Sequence, residues 1–166
     1  MTVRCSTMRR AALAAALMAA ALAIPGLAGL VHAQSCTVSA TAAAFGPYSP
    51  ASPLPTDTTA SIQLSCQSAT PRLVTYQVAL SPGTSGTYAG RSLRSGSGAL
   101  GYQIYGNLPR TAVWGDGTGG TVTVGGSVLA AAVPVVQGQT AYARIPPRQN
   151  VPPGAYADTV VVSVTW

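Results

Sequence analysis

From Val160 to Trp166 every second residue is large and apolar. Val160, Val162, Val164 and Trp166 share one face of an extended segment, and Val161, Ser163 and Thr165 share the other. A period of two held this cleanly specifies a strand packed on a core. Related runs, alternating or rich in β-branched and aromatic residues, recur upstream: CTVSATAAAF, TTASIQLSCQ, RLVTYQVALS, LGYQIYG, TVTVGGSV and QTAYARIP. No stretch sustains a helical period. Connections such as GPYSPASPLP, WGDGTGG and IPPRQNVPPG are rich in Pro and Gly, and together these signals predict about seven short strands in an all-β sandwich or barrel. Alternation places Ile62, Leu64 and Cys66 inward on one strand and Val74, Tyr76, Val78 and Leu80 inward on another. A sandwich that finishes on a strand like the last one leaves a hydrophobic sheet edge, which exported proteins usually avoid, so something is expected to cover that edge.

The N-terminal segment points to export. Arg4, Arg9 and Arg10 precede an apolar run from Ala11 to Ile24, then Pro25-Gly26 and a small-residue stretch ending Val31-His32-Ala33. This is the pattern of a signal peptide over residues 1–33 with cleavage after Ala33. A membrane anchor needs about 20 apolar residues, and Pro25-Gly26 interrupts the run too early, so no stable membrane insertion is expected after cleavage. Residues 34–166 then form a single domain. The whole chain carries a formal charge of +6, but three of its nine arginines lie in the leader. The remainder sets six arginines against Asp57, Asp116 and Asp158, a balance of +3. Those arginines do not cluster, so the basic stripe of a nucleic-acid binder is missing and no nucleic-acid partner is expected.

Residues 34–166 contain no His, Glu or Lys, and their only cysteines are Cys36 and Cys66. General acid–base catalysis draws mainly on His, Glu, Asp and Lys, so an enzyme is not expected, and neither is a cofactor. A metal site would need more ligands than two cysteines. In an exported chain the pair reads as a structural disulfide, which for a loop of this span stabilises by roughly 3–4 kcal/mol.

Three other stretches invite a functional reading. In VWGDGTGGT, the Trp114-Gly115-Asp116-Gly117 core resembles calcium and phosphate loops, but the other acidic ligands of the first and the Gly-Lys of the second are missing. A tight turn accounts for each residue type, with the glycines supplying positive φ, Asp116 capping amides and Trp114 packing beneath. Tyr76, Tyr88, Tyr102, Tyr105 and Tyr142 could form a sugar-stacking surface; at strand spacing, core packing with hydroxyls at the rim is the expectation. The apolar AVPVVQ, residues 132–137, is either a contact patch or an ordinary strand.

Several segments together resemble one family. CTVSATAAAFGPYSP, YQIY followed by AVWGDGTGG, YARIPPRQNVPPGAYADTV and the V-x-V-x-W end are similar to the spore coat protein U domain, whose members include secreted pilins of the archaic, Csu-like chaperone-usher pathway. The resemblance implies an all-β, incomplete immunoglobulin-like β-sandwich with an open edge completed by a donor strand. It also implies a structural or adhesive subunit of a cell-surface pilus, secreted via the periplasm. Its partners would be a periplasmic chaperone, an outer-membrane usher and a neighbouring pilin subunit. Val160, Val162, Val164 and Trp166 would line the groove that chaperone and neighbour fill in turn. Cleavage after Ala33 leaves only Gln34 and Ser35 ahead of the first core strand, so this chain is expected to accept a strand without giving one, as an end (tip) subunit does. The competing expectation is a self-contained secreted β-sandwich binding or coat protein.

Overall fold

The computed structural model describes residues 2–8 and 34–166, and among these every regular element is a strand. They are β1 (Thr2–Met8), β2 (Ser35–Ala40), β3 (Thr56–Gln67), β4 (Arg72–Leu80), β5 (Ser92–Ser95), β6 (Gly98–Gly101), β7 (Gln103–Tyr105), β8 (Val124–Ala130), β9 (Val135–Ile145) and β10 (Thr159–Thr165). One sheet has the order β1-β10-β4-β8 and the other β2-β3-β9-β7, while β5 and β6 form a separate hairpin. The domain is thus an all-β, immunoglobulin-like sandwich.

Register and alternation agree. The longest ladder joins β3 to β9 from Thr56 opposite Ile145 to Cys66 opposite Val135. It turns Ala60, Ile62, Leu64 and Cys66 inward beside Ala141, Ala143 and Ile145. From the other sheet come Val74, Tyr76, Val78 and Leu80 on β4 and Val160, Val162 and Val164 on β10, all buried. Each such side chain contributes about 1.5–3 kcal/mol of apolar burial, which explains why a one-residue slip is disfavoured in either sheet.

Cys36 and Cys66 face each other across the β2–β3 ladder and are joined by a disulfide. Substituting Cys66 with Ser should lower stability by roughly 3 kcal/mol. Thermal unfolding of the oxidised protein with and without reductant measures this, and a melting point that neither treatment moves would rule out a stabilising bridge.

Some elements differ from the sequence expectation. Alternation reads through CTVSATAAAF, yet β2 stops at Ala40; the Ala42–Ala44 run has no branched side chains, and Gly46 turns the chain at φ +70°. LGYQIYG divides into β6 and β7 because the chain changes partner: Gly98–Gly101 pair with β5, a register the Tyr102 N–H still follows to the Arg91 carbonyl, whereas Gln103–Tyr105 pair with β9. Tyr76 and Tyr102 are core residues, but Tyr105 and Tyr142 are half-buried and pair with each other on β7 and β9, on the face opposite Ala141 and Ala143. Within AVPVVQ, Val135 begins β9 while Val133 and Val136 are exposed.

The largest departure is β1. Thr2–Met8, inside the segment read as a leader, lies parallel to β10, with Thr2 opposite Thr159 and Met8 opposite Thr165. The edge of β10 offers a row of N–H and C=O groups, and extended backbone laid beside it satisfies them. The apolar run 11–24, Pro25-Gly26 and the cleavage position after Ala33 lie outside the described residues. Among those described, no helix is long and apolar enough to cross a membrane.

Candidate functional site

The edge of β10 is where the fold is least self-sufficient. From residues 34–166 its only ladder neighbour is β4, paired from Val162 opposite Leu80 to Thr165 opposite Gln77. Its other side is covered by β1, which also runs close to β2, the edge strand of the opposite sheet. Hence the sandwich opens between β10 and β2. Val160, Val162 and Val164 are at most 1% exposed and face into the sandwich, and Trp166 is half-buried at the end of the row.

Behind the valines a narrow apolar cleft is lined from the facing sheet by Ala40, Ala60, Ala141 and Ala143. Ile62 and Ile104 share that wall with the alanines, and the free volume left between the sheets is about 10 Å³. An apolar cleft beside a row of backbone hydrogen-bonding groups is what an added strand pairs with.

The entry to β10 is held by polar groups. Asp158, 3% exposed, accepts at Oδ1 from the Thr84 N–H (2.9 Å), the Thr84 hydroxyl (2.7 Å) and the Thr159 N–H (2.8 Å). Its Oδ2 accepts from the Tyr102 hydroxyl at 2.6 Å. Burial, reinforced by this carboxylate, drives the Tyr102 hydroxyl far above the ordinary phenol range. One layer back, the fully buried Arg91 donates from Nη2 to the Ser81 carbonyl (2.8 Å) and from Nη1 to Gln103 Oε1 (2.9 Å). Burial lowers the Arg91 pKa, opposed by Tyr102, Tyr88 and Asp158. Ser81 lies next to Val161, donating its N–H to the Val161 carbonyl and accepting the Val161 N–H at Oγ, both at 2.9 Å. Sequence reasoning missed this cluster. Its one visible signal was a lone aspartate directly before an alternating strand, in a chain with three carboxylates.

The Trp114–Gly117 segment is built as a turn. Asp116 Oδ1 accepts from the Thr118 N–H and hydroxyl at 2.9 and 2.6 Å, and these bonds hold its carboxyl below the usual carboxylate range. Gly117 has φ +89°, and a Cβ on Gly115 would strike the Thr121 side chain. Trp114 is fully buried and donates its indole N–H to the Val78 carbonyl at 2.9 Å. Among the described residues no group of three or more His, Cys, Asp or Glu could hold a metal ion.

Two further features lie off the groove. A pocket of about 620 Å³ sits between residues 43–50 and 151–156, walled by Phe45, Tyr48 and Tyr156 and lined by no charged side chain. On the β3–β9 ladder, Arg144 grips Asp57 through two bonds of 2.7 and 2.8 Å, with Arg110 at 3.5 Å. The Arg144 hydrogen bonds, helped by the charges of Arg110 and Arg144 against a smaller desolvation effect, hold the Asp57 carboxyl below its usual range. A depressed carboxyl stabilises the fold above its unfolded-state pKa near ~4, and the contribution disappears as pH falls through the lower folded value. Because the pair is partly exposed, Asp57→Asn should lower the melting point by only about 2–4 °C at pH 7. The gap should close as the pH drops through the acid range. A gap unchanged by acid in a pH series of melting curves would dissociate Asp57 from this effect.

The model of the Spore Coat Protein U domain matches residues 23–163. No curated protein matches the chain. Among solved structures, it is similar at a TM-score of 0.50 and 24% identity to a chain of the CsuC–CsuE chaperone–tip adhesion subunit pre-assembly complex from the archaic chaperone-usher Csu pili of Acinetobacter baumannii. The match covers 81% of the present chain and 40% of that one. The present chain therefore spans well under half of that protein's length, and the likeness is one of fold.

Proposed function

The chain belongs to the Spore Coat Protein U domain family, and from that premise we propose that it is a structural or adhesive subunit of a cell-surface pilus assembled by donor-strand complementation. A periplasmic chaperone would occupy the groove first, an outer-membrane usher would present the subunit, and a neighbouring pilin would supply the final strand. The role is one of assembly, with no catalytic step. The observation that carries this reading is the edge of β10, where three buried valines and a row of backbone groups are covered by a strand from outside residues 34–166. Backbone pairing would supply affinity, and the cleft between alanine and valine walls would set the register. β2 begins at Ser35, so cleavage after Ala33 leaves Gln34 alone ahead of the paired residues, which supports an end position in the fibre.

The test is expression for export with and without the adjacent genes of the locus, followed by affinity purification. A stoichiometric chaperone, with little soluble protein in its absence, is the expected outcome. Abundant soluble monomer made alone would overturn it in favour of a self-contained secreted binding or coat protein. The uncharged 620 Å³ pocket is the feature that favours this second reading.

A further inference from the structure

We infer that Asp158 is the positioning residue of the groove strand, holding Thr159, Val160 and Val161 in the extended geometry that a partner strand must find. The inference rests on the reading of β10 as a strand acceptor. The ladder between β10 and β4 begins only at Val162. Ahead of it, on the side away from β1, Thr159 and Val160 have no partner on β4, and Val161 meets only Ser81.

Asp158 fills that gap from behind. Its two carboxylate oxygens collect four hydrogen bonds, from the Thr84 N–H and hydroxyl, the Tyr102 hydroxyl and the Thr159 N–H. Two segments distant in sequence, at Thr84 and Tyr102, are thereby tied to the first residue of β10. The approach is close enough that a Cβ on Gly83, which sits at φ +78°, would strike the Asp158 carboxylate. The buried Arg91 fastens the Ser81 carbonyl, and Asp158 is among the groups whose charge opposes the lowering of its pKa. One residue earlier, Ala157 exchanges two backbone bonds with Arg94 on β5, at 2.7 and 3.0 Å. The entry to β10 is therefore fixed from several directions, whereas Thr165 and Trp166 have no comparable cluster among the described contacts. An edge already extended spares the partner the entropy of ordering it, so the cluster raises affinity without touching the partner.

The test compares the exported wild-type protein with Asp158→Asn, Thr84→Val, Thr84→Ser and Asp57→Asn. Asparagine keeps the size of Asp158 but replaces one acceptor oxygen with a donor and removes the charge. Amide hydrogen exchange is read for β10 against β3 and β9. Asp158→Asn and Thr84→Val should speed exchange at Thr159–Val161 by roughly tenfold or more, through local opening. Thr84→Ser, which retains the hydroxyl, should match wild type, and Asp57→Asn should leave β10 unchanged. A labelled synthetic peptide with the sequence of Thr2–Met8 serves as the strand probe and should bind the first two variants about tenfold more weakly. Exchange at Thr159–Val161 that stays at the wild-type rate in Asp158→Asn, or that rises equally in β3 and β9, overturns the positioning role. A peptide that binds all variants equally also overturns it. A peptide that fails on wild type, while exchange still responds locally, removes the strand-acceptor reading and leaves Asp158 as the anchor of β10.

Discussion

Val162→Asp should leave almost no recoverable exported protein. Val162 is 1% exposed, stands opposite Leu80 in the ladder, and lines the cleft with Ala60 and Ala141. No basic residue lines that cleft, so the new carboxylate is either ionised without a partner or protonated at a cost of several kcal/mol. A domain of this size has about 5–15 kcal/mol of net stability to lose, and an unfolded chain in the periplasm is degraded. Val161→Asp is the matched control, since Val161 is half-buried with its side chain on the opposite face. Immunoblots of periplasmic extracts should show a near-complete loss for the first variant and a modest one for the second. Equal yields would mean that the alternation in β10 does not divide a buried face from an open one.

Trp114→Ala should be the most costly single truncation away from the groove. The indole is fully buried, its N–H is bonded to the Val78 carbonyl, and the residue's backbone N–H donates to the Ile104 carbonyl. Removing a side chain of this size from a packed core costs about 3–5 kcal/mol, and the Val78 carbonyl loses its partner as well. The melting temperature should fall by about 10–20 °C, with the near-UV circular dichroism of the remaining core weakened. Trp166→Ala, at a half-buried site, should cost much less. If the two variants melt together, the turn at Trp114–Gly117 is not the anchor its hydrogen bonds describe.

Much of this architecture is legible in residue order because strand alternation is a local signal. The inward sets on β3, β4 and β10 follow from a period of two, and the cysteine pair follows from the export that the N-terminal segment leads one to expect. The β9 strand shows where the signal weakens. Its largest side chain near the groove, Tyr142, points away from the core, and Ala141 and Ala143 point in. A reading that sends the bulkier set inward fails there, because Leu80, Val160 and Val162 already take up the space opposite those alanines. The Asp158 cluster was illegible for another reason. Ser81, Thr84, Arg91, Tyr102 and Asp158 are scattered over nearly eighty positions, and each alone looks like an ordinary loop residue. Only the fold brings them to one point. Nor could composition show that an extended segment would settle on β10, since backbone groups, common to every residue type, do the pairing.

The position of the disulfide decides how the edge strand can come away. Cys36 is the second residue of β2 and is bonded directly across to Cys66, near the end of β3. Without the bridge, β2 could fray from Ser35 onward one rung at a time. With it, that end of β2 is fixed to β3, and β3 is held along eleven positions by β9. Fraying from the first rungs then requires β3 to leave as well. A covalent bond placed there turns the loose end of an edge strand into a fixed one.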